Sequence, residues 1–392
     1  MKKLICLLAA LVLVLTSAAF AAAEGVSAQD IKIGYICIGD LNEGYTAAHY
    51  NGLAQAMETL GISEDQILVK WHVPETEEAY EAAVDLAEQG CDIIFATSFG
   101  HESYVLLAAG EYPDIEFCHA TGTMASTGGL DNFHNYFTSV YESRYVSGVV
   151  AGMKLNQMIE DGVITEDTAK IGYVGAFPFA EVISGYTAFY LGARSVCPSA
   201  TMDVLYTNSW SSVDLEKEAA ESLIASGCVL ISQHADTTGA SIACEAANVP
   251  IVGYNISMIP TAPNNALTSA ASNWGAYVTY AIQCVINGES IPADWCKGFS
   301  EGAVYITELN ESVVAPGTAE KVAEVEAALM DGTLHVFDCS TFTVNGETLT
   351  TYTTASGLEG NEMVSDGYFH ESEVRSAPYF DIPIDGITAI TE

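Results

Sequence analysis

Aromatic and acceptor side chains recur in polar loops that follow short apolar runs. Tyr45 follows the loop Gly39-Asp40-Leu41-Asn42-Glu43-Gly44, and Phe99 lies in Ser98-Phe99-Gly100. Phe177 and Phe179 share one loop, Trp210 lies in Thr207-Asn208-Ser209-Trp210-Ser211, and Tyr254 follows Ile251-Val252. Trp274 lies in Ser272-Asn273-Trp274-Gly275. Apolar walls with few polar groups suit a planar heterocycle, held by stacking and oriented by hydrogen bonds. Asp40 and Asp236 are acceptors for amine or ring N–H donors. Each has a plainer alternative: a loop aromatic can be a packing plug, and either Asp can cap or turn the chain ahead of a helix. Recurrence at corresponding loops raises the aromatics above that background. Glu142 and Arg144 read as a structural pair at a helix start, and Glu181 reads as facing away from the cleft.

Catalytic constellations are sparse. His101-Glu102 and His370-Glu371 lack the second His of a zinc-protease helix. There is no Gly-x-Ser-x-Gly elbow, no Gly-Lys-Ser/Thr phosphate loop and no dinucleotide glycine fingerprint after a first strand. No metal and no cofactor is expected. A hydrolase built on Asp236 and His234 remains an alternative, since such groups can assemble from distant positions.

The elements that must carry these loops occur twice. Ile33-Gly34-Tyr35-Ile36 and Ile171-Gly172-Tyr173-Val174 both read as strands leading through a loop into a helix, from about Tyr45 to Leu60 and from Ala180 to Val196. Leu86–Phe95 and Leu223–Ser232 repeat a helix end, a Gly able to take a left-handed conformation, and a buried strand. Continuous apolar strands alternating with helices indicate parallel α/β sheets, so two Rossmann-like lobes joined by a hinge are expected. Ligands bind beyond the carboxyl ends of such strands, and two facing lobes would bring both sets of loops to one cleft. The boundaries read as residues 30–140 for lobe 1 with a return segment 255–300, and 141–254 for lobe 2 with a return segment 301–340. Residues 341–392, with a hairpin signal at Val344-Asn345-Gly346, form an appendage packing on the lobes.

Residues 1–23 carry a basic start, an apolar run and small residues at A-x-A sites, which is the pattern of a cleaved secretory signal peptide. Its removal takes two lysines and changes the net charge from −39 to −41. Cys6 precedes any cleavage point, so there is no lipobox and a periplasmic location is expected. The remaining cysteines are scattered in apolar runs without a C-x-x-C pair, as expected of buried free thiols. The 51 acidic against 12 basic residues disfavour nucleic acid and anionic membrane surfaces. Hydrophobic residues at 49% exclude a disordered acidic chain.

Short motifs in a shared order resemble the BMP family of substrate-binding proteins, related to purine nucleoside receptor A, over residues 30–340. They include Thr97-Ser98-Phe99-Gly100, Glu142-Ser143-Arg144-Tyr145-Val146-Ser147-Gly148, Asn208-Ser209-Trp210, Gln233-His234-Ala235-Asp236 and Asn273-Trp274-Gly275. The resemblance implies a periplasmic-binding-protein type I fold, no catalysis, an ABC permease partner and a purine-type ligand, in a monomer. By it, Tyr45, Phe99, Phe179 and Trp210 would wall in the ring, Asp40, Asp236 and Asn273 would read its polar edge, and Trp274 would stand near. Tyr254 also borders the expected pocket. Nucleoside-binding members often carry an Asp where this chain has Gly253-Tyr254-Asn255, which tilts the expectation towards a free base. A ligand-sensing receptor domain is the alternative binding role.

Overall fold

The computed structural model describes residues 25–390; the expected signal peptide lies outside them. Chain order alternates strands and helices from Ile33 to Tyr254. β1 (Ile33–Ile36), α1 (Gly44–Leu60), β2 (Ile67–Lys70), α2 (Glu77–Glu88), β3 (Ile93–Ala96), α3 (Glu102–Glu111), β4 (Glu116–Ala120), the single turn α4 (Ala125–Gly128) and β5 (Phe133–Thr138) build the first lobe. The second starts with α5 (Val140–Glu160), β6 (Lys170–Gly175), α6 (Ala180–Val196), β7 (Thr201–Tyr206) and α7 (Val213–Ala225). It continues through β8 (Leu230–Gln233), α8 (Gly239–Ala247), β9 (Ile251–Tyr254) and β10 (Ala266–Ser272). α9 (Gly275–Asn287) and β11 (Asp294–Lys297) return to the first lobe, and β12 (Val304–Ile306) and α10 (Thr318–Met330) to the second. The tail adds the small pair β13 (Val364–Ser365) and β14 (Tyr368–Phe369), then β15 (Ile387–Ile390).

The sheet orders expose the duplication. The first sheet runs β11-β5-β4-β3-β1-β2 and the second β12-β10-β9-β8-β6-β7-β15. Only β12 runs antiparallel to its neighbour within them. The repeated Ile-Gly-Tyr has a packing reason: a Cβ on Gly34 would press on Leu86 and Ile94 at 3.0 Å, and one on Gly172 on Leu223 at 2.9 Å. Each glycine lets a helix lie close on the strand beneath it. Gly90 and Gly227 take φ of +83° and +94°, as the repeated helix ends required.

Two boundaries differ from the sequence reading. β10 pairs in parallel with β9, so it is a strand of the second lobe, and the return into the first lobe starts after Ser272 rather than at 255. The reason is that residues 255–265 form only the connection between two neighbouring strands of one sheet. The tail is also more than an appendage, because β15 completes the second sheet by pairing with β7. Phe342, Phe369 and Phe380 of this segment join one core with α5 and α6. Ser376 reaches the first lobe, its N–H donating to Asp294 Oδ2 at 2.6 Å.

The crossings between lobes are tied together. Thr138 and Ser272 hydroxyls meet at 2.7 Å, Ser139 N–H donates to the Lys297 carbonyl at 2.8 Å, and Phe299 N–H donates to Glu142 at 2.7 Å. Glu142 thus holds a crossing, and Arg144 does not pair with it. The nine described cysteines are free thiols, eight of them buried. No helix among the described residues is long and apolar enough to cross a membrane.

Candidate functional site

The carboxyl ends of both sheets converge on an aromatic slot. From the first lobe it takes Ile38 after β1, Ser98 and Phe99 after β3, Thr121 after β4, and Phe137 of β5, with Tyr45 at the start of α1. From the second it takes Glu181, Trp210 after β7, His234 and Asp236 after β8, and Tyr254 of β9. Its volume is about 40 Å³. Phe99 and Phe179 close over it from opposite lobes, with ring centroids 5.5 Å apart. Phe179 in turn stacks on Phe177 at 5.2 Å, and Trp210 meets Phe177 edge-on at 4.9 Å.

Of the expected residues, Tyr45, Phe99, Trp210, Asp236 and Tyr254 line the slot, and Phe179 stands at its mouth. Asp40, Asn273 and Trp274 are not brought to it. Asp40 makes the Asx turn that competed with a binding role, accepting from the Asn42 N–H at 2.8 Å and facing His72 at 3.3 Å. Asn273 donates to the Gly302 carbonyl at 2.9 Å, beside a crossing. Trp274 is buried because it caps α9 against α1, lying flat on His49 at 4.0 Å. It still supports the site, since Tyr45 meets it edge-on at 5.9 Å. Tyr45 is fixed further by its hydroxyl, which donates to the Thr97 carbonyl at 2.7 Å.

Asp236 does not cap the next helix, which begins after Thr238. Its carboxyl accepts from Asn255 Nδ2 at 2.7 Å, and its carbonyl accepts from the Gly44 N–H of the other lobe at 2.8 Å. Burial holds the carboxyl well above the usual carboxylate range, and the neighbouring Glu43, Glu216 and Glu181 push in the same direction. The site therefore offers a buried carboxyl, easier to protonate than an exposed one, that can exchange hydrogen bonds with a polar ring edge.

Glu181 faces the slot rather than away from it, accepting from His234 Nε2 at 2.8 Å. Burial pulls the His234 ring below its ordinary pKa against the opposing pull of Glu181, and its Nδ1 faces the Tyr173 hydroxyl at 3.2 Å. Beneath them Arg144 is fully buried, its guanidinium 3.6 Å from the Tyr254 ring centroid and its Nη1 donating to the Gln233 carbonyl at 2.7 Å. This cation behind Tyr254 partly balances the acidic wall. The hydrolase alternative loses its pair here, because His234 is committed to Glu181 and Asp236 to Asn255. Thr121 has φ of +64°, which is costly for a β-branched residue by about 1–3 kcal/mol and belongs to the kind of strain that gathers at ligand sites.

Sequence reasoning missed Ile38, Ser98, Thr121 and Phe137 as lining residues. Ser98 and Thr121 each follow a strand end, and that position was their only available signal.

A family model described as ABC transporter substrate-binding protein, PnrA-like, matches residues 31–333. A purine-binding protein of Brucella abortus is 32% identical over 79% of this chain and 83% of its own length. A candidate ABC transporter glucose-binding protein of Haloferax volcanii is 30% identical over 83% of this chain and 78% of its own. Among solved structures, a solute-binding protein from Aeropyrum pernix superposes with a TM-score of 0.66 at 17% identity, over 78% of this chain and 93% of its own. One from Conexibacter woesei gives 0.63 at 19%, over 78% and 98%. These likenesses establish the type I periplasmic-binding-protein fold.

Proposed function

This chain belongs to the PnrA-like family of ABC transporter substrate-binding proteins, and from that premise we propose that it captures a purine base outside the cytoplasm and delivers it to an importing permease. Such proteins hand a small ligand to a membrane partner and as a family are not enzymes. The observation that carries the purine reading is the buried carboxyl of Asp236 inside a slot walled by Tyr45, Phe99, Trp210 and Tyr254. Aromatic faces bind a flat ring by stacking, and a single carboxyl orients it through ring nitrogens. The Brucella relative's purine-binding name supports the same choice.

Phe99 and Phe179 belong to different lobes, so ligand entry requires the lobes to part, and closure around the ring re-forms their contact. The absence of an Asp after Gly253 supports a base over a nucleoside. A thermal-shift screen of ligand-stripped protein against bases, nucleosides, hexoses and amino acids tests this, because a native-state ligand raises the melting temperature. The expected hits are purine bases. A large shift with glucose and none with any purine would overturn the assignment.

A further inference from the structure

A chamber of about 470 Å³ opens off the aromatic slot and shares Phe99, Thr121, Glu181 and Trp210 with it. Part of its wall comes from outside the duplicated lobes. Gly357, Arg375 and Ala377 of the C-terminal segment line it, well beyond residue 333 where the family match ends. Arg375 is its one basic side chain among the described residues. The guanidinium donates Nε–H to the Ala377 carbonyl at 3.2 Å and lies 5.7 Å from the Tyr379 ring centroid. Among the described residues its two terminal nitrogens have no hydrogen-bond acceptor and no ion-pair partner.

A half-buried guanidinium with an open fork is best satisfied by two acceptors in one plane. A carboxylate or phosphate offers such a pair, and so does the O6/N7 edge of a 6-oxopurine, which Arg reads bidentately in guanine. The chamber decides between them. Its other charged side chains are Glu181 and Asp381, and the chain as a whole carries −39. Neither carboxylate bonds Arg375: Glu181 accepts from His234, and Asp381 from the Tyr352 hydroxyl at 2.6 Å, while Asp381, Glu371 and Asp294 act on the guanidinium only through space. An anionic substituent would meet their repulsion, whereas a neutral carbonyl edge does not.

Building on the purine reading above, we propose that the C-terminal segment supplies the specificity element of the site, with Arg375 reading the O6/N7 edge of a 6-oxopurine whose ring is held by the aromatic slot. The ligand class is then hypoxanthine-like and not adenine-like, because the 6-amino group presents a donor to a donor.

Calorimetric titration of hypoxanthine, adenine and inosine 5′-monophosphate into the wild type, Arg375→Gln and Arg375→Lys tests this. The wild type is expected to prefer hypoxanthine over adenine by roughly 5- to 150-fold, the span of one bidentate pair. Arg375→Gln should lose that factor towards hypoxanthine with the melting temperature nearly unchanged and no loss towards adenine, whose N6/N7 edge a Gln amide can itself read. Arg375→Lys, which keeps the charge without the fork, should recover only part of it and serves if the Gln variant fails to fold. Equal loss for hypoxanthine and adenine, or no loss for either, overturns this inference and leaves the purine reading standing. Tightest binding of the monophosphate, lost in Arg375→Gln, also overturns it, in favour of an anion. If no purine binds the wild type, both readings fall together.

Discussion

Replacing Trp210 by Ala separates a binding wall from a packing plug. The ring is only half-buried, and its aromatic contacts are Phe177 at 4.9 Å and Phe179 at 5.9 Å, both within the same lobe. Two aromatic pairs at about 0.5–1.5 kcal/mol each give a stability loss of about 1–3 kcal/mol. For domains of 150–250 residues each kcal/mol moves the melting temperature by roughly 2–4 °C, so the shift here is about 2–12 °C. The backbone link that matters for the site survives, since the Trp210 carbonyl still accepts from the Asp236 N–H at 2.9 Å. Binding should fall as well: stacking of a base on an aromatic side chain contributes about 1–3 kcal/mol, or roughly 5- to 150-fold in affinity. Titration of hypoxanthine into the wild type, Trp210→Ala and Trp210→Phe by calorimetry reads this directly, with a melting curve on each sample. The Phe variant should restore most of the affinity. If Trp210→Ala binds within about twofold of the wild type while melting several degrees lower, the ring is a plug and the slot is misassigned.

Two further perturbations address the frame of the site. Burial raises Glu216 to about 7, against the opposing hydrogen bonds from Thr237 and Ser212. Its folded-state pKa thus lies above an unfolded value near 4.3, so its stabilisation is full below about pH 4.3 and is lost as pH rises through about 7. The melting temperature should therefore fall between pH 5 and pH 8, following that loss, and Glu216→Gln should flatten the decline; equal slopes in scanning calorimetry would refute this. Gly148 lies where α5 crosses α6, and an added Cβ would run into the Phe189 carbonyl oxygen, which is backbone and cannot swing away. Gly148→Ala should cost more than the about 1–3 kcal/mol of ordinary overpacking and lower the denaturant midpoint without changing the affinity of the molecules that remain folded.

Much of the fold was readable because its signals are local. Ile33-Gly34-Tyr35 and Ile171-Gly172-Tyr173 carry strand pattern and helix clearance in three residues, and Gly90 and Gly227 mark helix ends by their own backbone freedom. Strand-end position then placed Tyr45, Phe99, Trp210, Asp236 and Tyr254 at the slot. Local pattern also misled. Trp210 and Trp274 look alike in sequence, each a Trp in a Ser/Asn-containing loop, yet Trp274 starts a helix that α1 covers, so its ring turns into the core. The β10 strand was assigned to the wrong lobe because an apolar run does not say which sheet edge it will join.

The sequence by itself determined two parallel-sheet lobes, the strand-end loops that line the slot, and the slot's aromatic, acceptor-bearing character. These depend on residue order over short spans, where sterics and hydrophobic period act directly. Only the tertiary structure decided the pairing of Glu181 with His234 across 53 positions, the burial that raises the Asp236 pKa, and the arrival of Arg375 at the cleft. Each depends on desolvation or on contact between segments far apart in the chain. No spacing rule encodes those, because burial and through-space charge are properties of the packed molecule.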